Sequence, residues 1–552
     1  SSMYGVSRFL AVAFSLCALL VLIGGCSGGG SSWAAPAPPG VQTTPNLLAN
    51  PGAETGDTTG WTVSAGVLES KESGTDYPDP FRGQRFFFCG QTTTTDAYQD
   101  VDVRSHATAI DAGTSYAVGE GYMRSWNGND RPEIVLRYLD GSQKLLSESR
   151  TGVLNYPVWA AARAGGLLPI GTRLIRFVLK SERVTGKDND GYFDALKLSL
   201  SDTPPTPAPP NLLLGPYVQN LSTAGVTIMW ETDLASPSVL EYGPTPSLGA
   251  QVSDLANATT HELGLFGLTP GTTYHYRVTS RDAVSALYSF KTFPATTPAF
   301  RFTLWGDSQK DPNVFKRVVA GMVAEDPDLA ICLGDTVQQA TGANPYRHEL
   351  LAPLRPLTLN PFFVARGNHD SDEALFKAYL SQPNNELWFA FTYSNVRFVI
   401  LDTNKPFQNG TAQNSWLQQE LASPEFSAAS FQLAFFHHPP YLNYWEGDPN
   451  NNGDANVRAI LLPMLKNAGV DILFCGHCHD YEYGQDGSLH LVISGGGGGT
   501  LEQDADVVSS PWANIQFVNH VYHYCKVDVD AGTLKLEAKD LSGNIFHTLS
   551  IP

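Results

Sequence analysis

Basic side chains are scarce in this sequence. It contains 35 Lys and Arg residues against 54 Asp and Glu residues, which gives a net charge of -19 over 552 residues. Such a charge repels nucleic-acid phosphates and excludes a general DNA or RNA partner. A phosphorylated substrate would therefore need local positive charge, and bound metal cations are its simplest source.

Charged residues of both signs make up only 16% of the chain, whereas apolar residues make up 42%. This balance excludes a disordered acidic polymer, because most segments can bury enough surface to offset their chain entropy. The length exceeds one hydrophobic core and predicts about three or four domains.

Cysteine is too rare and too unevenly placed for a disulfide framework. Two of the seven cysteines, Cys17 and Cys26, fall in the first 26 residues, and an odd number remains. Export would permit disulfides, but large domains do not need them, so we expect none. The remaining five are Cys89, Cys332, Cys475, Cys478 and Cys525.

Long apolar runs are almost absent, and the one that stands out is Phe9 to Ile23, which follows Arg8. It is too short to span a bilayer comfortably and is typical of a targeting segment. With Cys26 and the Ser- and Gly-rich stretch after it, residues 1–26 resemble a bacterial lipoprotein signal in which Cys26 is lipidated. The alternative is an ordinary secretory signal. Both predict export, and the first predicts a lipid anchor at the bacterial cell envelope.

Two linkers divide the rest of the chain, a flexible one at 27–44 and a proline-rich one at 202–210. Between them, residues 45–201 alternate apolar and polar residues in short runs, which predicts antiparallel β-structure. The two ends of this segment resemble those of carbohydrate-binding jelly rolls. That resemblance implies a structural calcium at Glu54 and Asp194, although both could equally be solvated surface acids.

Aromatic residues of this first β-domain allow two interpretations. Trp126 and Tyr156 could stack on a sugar, or they could be ordinary core residues. The following segment, 211–294, again reads as short strands, such as Gly225 to Trp230 and Ser238 to Tyr242. Leu268 to Val278 resembles the turn and strand near the end of fibronectin type III modules. We therefore predict two all-β sandwich domains in succession.

From residue 295 to 552 the pattern changes, because apolar strand runs alternate with amphipathic helices, which predicts an α/β domain. Helices are expected near Pro312 to Ala324 and Val457 to Ala468. Polar motifs follow the predicted strands directly, at the strand ends where open sheets place their sites. They are Gly306-Asp307-Ser308-Gln309, Gly334-Asp335, Gly367-Asn368-His369-Asp370, His437-His438-Pro439 and Gly476-His477-Cys478-His479.

These motifs, in this order, resemble the signature of the calcineurin-like metallophosphoesterases. The fibronectin-like module upstream and the stretch Gly476 to Glu482 most resemble the purple acid phosphatase branch. The resemblance implies a four-layer αββα catalytic domain and a dinuclear centre of iron, manganese or zinc. Asp335 would bridge the two metals. Asp307, Gln309 and His479 would complete one site, and Asn368, His437 and His477 the other.

The resemblance also implies a mechanism, in which a hydroxide between the metals attacks phosphorus. His369, held by Asp370, would stabilise the developing charge or protonate the leaving group. His438 would line the substrate cleft. The glycine run Gly495 to Gly499 would form either part of the cleft rim or a plain flexible loop.

Two residues depart from the family pattern. Gln338 stands where the tyrosine of purple acid phosphatases gives them their colour, so no iron-tyrosinate centre is expected. Gln309 stands where many relatives have histidine, and an amide oxygen binds metal more weakly than imidazole does. Within the last motif, Cys475 and Cys478 spell a redox tetrapeptide, but it follows a strand instead of opening a helix, which argues against thiol chemistry.

The resulting hypothesis is an exported, lipid-anchored phosphoesterase that acts on phosphate mono- or diesters, with a carbohydrate as a further partner of the first β-domain. Its competitor is a surface binding or scaffold protein whose phosphatase domain has lost activity.

Overall fold

The computed structural model describes residues 43–552, except 75–76, 207, 297–298, 358–359, 444, 446–449 and 503–510. The predicted lipoprotein signal with Cys26, and nearly all of the first predicted linker, lie outside the described residues. None of the helices in the described part is long and apolar enough to cross a membrane.

The first β-domain consists of two five-stranded antiparallel sheets, with strand orders β1-β4-β9-β6-β7 and β2-β3-β10-β5-β8. Alternate residues of the facing strands fill one core that includes Phe87, Phe177 and Phe193. The strands are β1 Thr62–Ala65, β2 Glu69–Glu72, β3 Arg85–Phe88, β4 Thr94–Asp102, β5 Tyr116–Ser125, β6 Glu133–Leu139, β7 Leu145–Arg150, β8 Ala160–Leu167, β9 Leu174–Glu182 and β10 Gly191–Ser201. A 3-10 turn, Arg104–His106, and a short helix, α1 Ala107–Asp111, connect β4 to β5.

The second β-domain is one six-stranded antiparallel sheet. Two strands that the sequence predicted separately, Gly225 to Trp230 and Ser238 to Tyr242, form a single long strand with irregular pairing near Ser236. Its strands are β11 Leu212–Gln219, β12 Gly225–Gly243, β13 Ala250–Phe266, β14 Thr273–Ser280, β15 Ala283–Val284 and β16 Tyr288–Lys291.

The segment predicted as the α/β catalytic domain, 295–552, is called the catalytic segment. It contains a six-stranded and a seven-stranded mixed sheet, with orders β19-β18-β17-β27-β28-β29 and β20-β21-β22-β23-β25-β24-β26. The strands are β17 Ala299–Trp305, β18 Leu329–Cys332, β19 Phe362–Val364, β20 Phe389–Tyr393, β21 Val396–Ile400, β22 Phe431–Phe435, β23 Ile472–Cys475, β24 Tyr481–Asp486, β25 Leu489–Ser494, β26 Ile515–Asn519, β27 His523–Asp530, β28 Leu534–Asp540 and β29 Ile545–Ile551. The helices are α2 Pro312–Ala324, α3 Ala343–Pro345, α4 Ala352–Leu354, α5 Glu373–Tyr379, α6 Ala412–Leu421, α7 Pro424–Ala428 and α8 Leu462–Ala468, with π-helical turns Tyr346–Leu351 and Val457–Leu461 and a 3-10 turn Arg355–Leu357.

Residue alternation along the parallel strands explains why both sheet faces are buried. In β18, Leu329 and Ile331 join a core cluster that also contains Phe398 of the other sheet. Ala330 and Cys332 point the opposite way, into a cluster with four apolar residues of α2. A third cluster packs residues of α6 and α8 against β21, β22 and β23. The carboxyl ends of β17, β18 and β19 in one sheet, and of β22 and β23 in the other, carry all five polar motifs.

Candidate metal centre

Three of the polar residues sit at strained turns that directly follow a strand. Asp307, Asp335 and His477 have φ values of 56°, 53° and 76°, a left-handed conformation that residues other than glycine adopt at a cost of about 1–3 kcal/mol. Such strain persists only where surrounding structure enforces it. Here it turns each side chain back toward the gap between the two sheets' carboxyl edges.

The residues beside these turns leave no room for larger side chains. A Cβ atom on Gly367 would lie 2.1 Å from Asp335 Oδ1, so only glycine lets this turn approach the carboxylate. The main-chain nitrogen of His369 then donates to the same oxygen at 2.8 Å. Glycine in the third motif is therefore required by close packing around Asp335.

All seven predicted ligands converge, and Asp335 lies at the middle of the group. Its Oδ2 is 3.2 Å from His437 Nε2, and Asp307, Asp335 and His437 all offer ligand atoms within 4.8 Å of one another. On one side, His437 Nε2 lies 3.0 Å from Asn368 Oδ1 and 3.2 Å from His477 Nδ1. On the other side, His479 Nε2 lies 3.7 Å from Asp307 Oδ1.

Two of the histidines have their other ring nitrogen fixed by a carbonyl. His437 Nδ1 faces the Leu333 carbonyl at 2.9 Å, and His479 Nδ1 faces the Thr500 carbonyl at 2.8 Å. Because a carbonyl oxygen only accepts, each Nδ1 carries the hydrogen, and in the neutral ring each Nε2 presents its lone pair to the cluster. This is the arrangement that proteins use to orient metal-binding histidines.

Hydrogen bonds to main-chain carbonyls also orient the side-chain amide of Gln309. Its amide hydrogens are both satisfied when the nitrogen donates to the carbonyls of Asp307 and Asp335, at 3.2 and 2.7 Å. The amide oxygen then lies 3.3 Å from His479 Nε2. Hydrogen bonds thus hold the amide with its oxygen toward the ligand group, where it can bind a hard cation.

The electrostatics of the cluster also favour a bound cation. Burial raises the pKa of Asp307 well above its ordinary value. Burial would lower the pKa of His437, but the charges of Asp335 and Asp307 outweigh it and raise that pKa to about 9. Burial, reinforced by the neighbouring histidines, lowers the pKa of His477 far below 6.5 and keeps its ring neutral. A cation bound here would replace the proton on His437 and supply the positive charge that these closely spaced groups favour.

His369 and Asp370 are placed differently from the expectation. His369 Nδ1 donates to the Gln338 carbonyl at 2.7 Å, and its Nε2 lies 4.0 Å from Asp335 Oδ2. Asp370 is fully buried and accepts hydrogen bonds from Thr336 and from the Gly367 main chain. The prediction that Asp370 holds His369 is wrong, because its carboxylate ties the turns after β18 and β19 together instead.

His438 lies beside the cluster, as the second histidine of its motif. Its Nδ1 is 2.7 Å from Thr403 Oγ1, and it belongs to a close group with His437 and His477. Burial, and then the charge of His437, lower its pKa to about 4, so its ring is neutral. Of the two adjacent histidines, His437 is the one that faces Asp335.

Several contributing residues could not be found from the sequence. The ring of Trp445 lies 4.2 Å from that of His477 and 5.6 Å from that of His479, and no motif marks it. The glycine run at 495–499 is buried instead of forming a rim or a flexible loop. A Cβ atom on Gly499 would lie 2.7 Å from the His479 ring, so this run packs directly behind a ligand.

The remaining sequence candidates fall elsewhere. Glu54 accepts hydrogen bonds from the main-chain nitrogens of Gln84 and Arg85, each at 3.1 Å, and Asp194 accepts one from Arg82 at 2.9 Å.

Cys475 and Cys478 are buried free thiols, and burial raises the pKa of each far above 9, which rules out a reactive thiolate.

Residues 300–481 match the family model of the calcineurin-like phosphoesterases, and residues 216–292 match that of the purple acid phosphatase N-terminal domain. Purple acid phosphatase 15 of Arabidopsis thaliana is 27% identical over 43% of this chain and 53% of its own length. Purple acid phosphatase 23 of the same plant is 27% identical over 46% of this chain and 65% of its own length. The chain thus spans about half to two thirds of these two relatives.

Solved structures share the fold. The purple acid phosphatase PPD1 from seeds of yellow lupin (Lupinus luteus) superposes with a TM-score of 0.55 and 18% identity, covering 83% of this chain and 93% of that one. The structure of PhoD gives a TM-score of 0.50 and 17% identity, over 63% of this chain and 91% of that one.

Proposed function

Because the chain carries a calcineurin-like phosphoesterase domain behind a purple acid phosphatase N-terminal domain, we propose that it is an exported, metal-dependent phosphoesterase acting on phosphate mono- or diesters. The observation that supports this most strongly is the convergence of acceptor atoms around Asp335 Oδ2. Carboxylate, amide and imidazole ligands suit two transition metals such as iron, manganese or zinc.

In this proposal Asp335 would be shared by two metal sites. Asp307, Gln309 and His479 would hold the first metal, and Asn368, His437 and His477 would hold the second. When bound, such a pair of metals supplies Lewis-acid stabilisation and an activated water for in-line displacement at phosphorus. Since position 338 is glutamine, no tyrosinate ligand is available there, and we propose a centre without the purple colour.

The protein's own groups complete the reaction. His369 is half-exposed and its Nδ1 hydrogen is committed to the Gln338 carbonyl, so its Nε2 is the atom able to carry a second proton. We propose that this proton is donated to the leaving oxygen or stabilises its charge. His438 and Trp445 enclose the histidine side of the cleft, and Asp370 acts as a positioning residue for the turns around Asp335.

The finer architecture is proposed on the same basis. The three core clusters of the catalytic segment support an αββα order of layers, with one cluster between the sheets and one under the helices on each outer side.

We further propose that the first β-domain is a jelly roll with a carbohydrate ligand and a structural calcium at Glu54 and Asp194, and that Cys26 anchors the protein to the bacterial envelope.

The test is hydrolysis of p-nitrophenyl phosphate and bis(p-nitrophenyl) phosphate by the purified protein supplied with manganese, iron or zinc. We expect turnover that is lost in Asp335→Ala and His477→Ala and kept in the surface variant Asp530→Ala. Undiminished turnover in both ligand variants would overturn the proposed mechanism. No hydrolysis of either ester with any metal would instead favour the binding or scaffold protein.

A further inference from the structure

A cavity of about 530 Å³ lies where the first β-domain meets the catalytic segment. Asn127 and Asn129 of the first β-domain form one wall, and residues between Gln338 and Glu349 form the other. The volume falls within the range of about 300–1,000 Å³ that is typical of small-molecule sites.

The cavity adjoins the metal centre through two of the residues that line it. Gln338, which lines it, accepts the Nδ1 hydrogen of His369 on its carbonyl at 2.7 Å. Glu349, which also lines it, accepts hydrogen bonds from the main-chain nitrogens of Lys310 at 3.1 Å and Gln338 at 2.6 Å. The cavity therefore begins beside the imidazole proposed to face the leaving group.

The wall from the first β-domain is held rigidly in place. The Gly128 carbonyl accepts hydrogen bonds from Asn344 Nδ2 at 3.0 Å and Asn155 Nδ2 at 2.9 Å. Two further contacts hold the same junction. The Trp126 ring packs edge-on against His348 at 5.7 Å, and the Arg347 guanidinium lies 5.3 Å from the centre of the Tyr156 ring.

These contacts account for the two aromatic residues considered above as sugar platforms. Trp126 and Tyr156 are half-buried, and their rings contact His348 and Arg347 of the catalytic segment. The part of the first β-domain that faces the cavity is instead the pair Asn127 and Asn129.

The cavity lining is polar, and its cationic side chain is already paired. Arg347 donates to both carboxylate oxygens of Glu231, at 2.7 and 2.6 Å, and to Asn344 Oδ1. Burial, with smaller effects of nearby cations, lowers the pKa of His348 to about 3, so its ring is neutral. The groups left to meet a ligand are the amides and hydroxyl of Asn127, Asn129, Gln338, Gln339 and Thr341, together with the carboxylate of Glu349, which can accept from sugar hydroxyl groups.

This chemistry discriminates between classes of leaving group. Amides and hydroxyls both donate and accept, as the hydroxyl groups of a sugar do. A nucleobase would favour an aromatic stacking surface, and the described residues that line the cavity include no Phe, Tyr or Trp. A second phosphate would favour an arginine free to bind it in a bidentate manner, whereas Arg347 is already committed.

We propose that this cavity binds the leaving group of the substrate, and that this group is the uncharged, hydroxyl-rich part of a carbohydrate phosphate. The first β-domain would then act as one wall of the catalytic cleft through Asn127 and Asn129. The inference rests on the phosphoesterase activity proposed above, and it adds the substrate class.

The experiment compares the full chain with Asn127→Ala, Asn129→Ala and the double variant, and uses Asn257→Ala, an exposed asparagine of the second β-domain, as the control. Substrates are p-nitrophenyl phosphate, glucose 6-phosphate, phosphorylated maltotriose and AMP. Loss of two hydrogen bonds predicts a fall of about tenfold in kcat/KM for the sugar phosphates, chiefly through KM. The fall on p-nitrophenyl phosphate should be smaller, because its leaving group has no hydroxyl groups to bind these amides, and Asn257→Ala should leave kcat/KM on every substrate within about twofold.

Preference for glucose 6-phosphate would identify a free sugar phosphate as the source, and preference for maltotriose phosphate a phosphorylated glycan. An equal loss on all four substrates, or AMP as the best substrate, would overturn the inference. If the protein hydrolyses no ester, the phosphoesterase proposal fails by itself. Calorimetry with glucose 6-phosphate then tests whether the cavity binds a sugar phosphate. Saturable binding that is weakened in the double variant would support this site, and the absence of binding would overturn it.

Discussion

Two regions of this molecule gather carboxylates, and their hydrogen-bond balance differs. At the corner of the first β-domain, the main-chain nitrogens of Gln84 and Arg85 donate to Glu54, and those of Arg82 and Ala195 donate to Asp194. Around Asp335, by contrast, His437 Nε2 lies 3.0 to 3.2 Å from Asp335 Oδ2, Asn368 Oδ1 and His477 Nδ1.

The difference shows why residue type alone does not define a metal site. In the corner, backbone donors already stabilise the carboxylates, so a cation would add to a satisfied arrangement. In the cluster, Asp307 and Asp335 also accept main-chain hydrogen bonds, but carbonyls take the Nδ1 hydrogens of His437 and His479, so that their Nε2 atoms converge on the same carboxylates. A proton on His437 or a bound cation supplies the positive charge that this group needs, because an unpaired buried acceptor costs about 1–3 kcal/mol.

The same chemical change in both regions should give the largest contrast. Asp307→Asn removes one buried negative charge from the cluster, and since a catalytic metal contributes several kcal/mol, we expect about a thousandfold loss of kcat/KM on p-nitrophenyl phosphate. Asp194→Asn should leave kcat/KM within about twofold. A comparable loss of kcat/KM in both variants would contradict the claim that only the carboxylates of the cluster hold a catalytic metal.

A pH experiment should show that a buried histidine without a carboxylate beside it has a lowered pKa, whereas the carboxylates around His437 raise its pKa. Burial lowers the pKa of His523 from 6.5 to about 4, so the unfolded chain binds the proton first as the pH falls. The free energy of unfolding should therefore decrease by about 3 kcal/mol from this residue between pH 6.5 and 4.

Urea unfolding of wild type and His523→Gln at several pH values measures this contribution. The stability difference between the two proteins should shift against wild type as the pH is lowered. His106→Gln, at a half-buried site in the first β-domain, is the control. A difference that stays constant from pH 7 to 4 would contradict the assignment.

A smaller effect is expected from the packing behind the ligands. Gly499→Ala places a methyl group 2.7 Å from the His479 ring, which must then move. Displacing a ligand in this indirect way typically costs about 10- to 100-fold in activity or metal affinity. Gly532→Ala meets no atom within 4 Å and serves as the matched control. Equal activity of the two variants would show that the glycine run does not position His479.

The smallest effect should come from calcium at the corner. Burial, together with Glu54, raises the pKa of Asp194 to about 6, so a cation there would gain some stabilisation. At millimolar calcium and the weak affinity of extracellular modules, we expect roughly 1 kcal/mol and a rise of a few degrees in Tm. Differential scanning calorimetry with and without calcium checks it, and Asp194→Asn should abolish the rise.

Much of the catalytic segment could be predicted from periodicity and motif order. Helix α2 has the predicted ends, because it combines a strong apolar pattern with a clear polar boundary. The seven proposed ligands were found because each follows a buried strand, and strand ends share one edge of a sheet. The long strand β12 was divided in the prediction because polar residues at its irregular middle resemble a turn.

The rest depends on contacts between distant segments, which local patterns do not encode. The partner of His369 is a carbonyl, that of Gln338, and any residue type could supply it. Trp445 reaches His477 through a loop without a motif. The seating of Trp126 and Tyr156 against the catalytic segment depends on how two domains pack, so the sequence left their role open.

The central claim is that two metals share the carboxylate of Asp335, and metal stoichiometry tests it most directly. The purified protein, reconstituted with manganese, iron or zinc and freed of excess, should hold close to two metal ions per chain by inductively coupled plasma mass spectrometry. Asp335→Ala should lose both, whereas Asp194→Asn should keep both. A wild-type value near zero under metal-replete conditions, or an unchanged value of two in Asp335→Ala, would contradict the account.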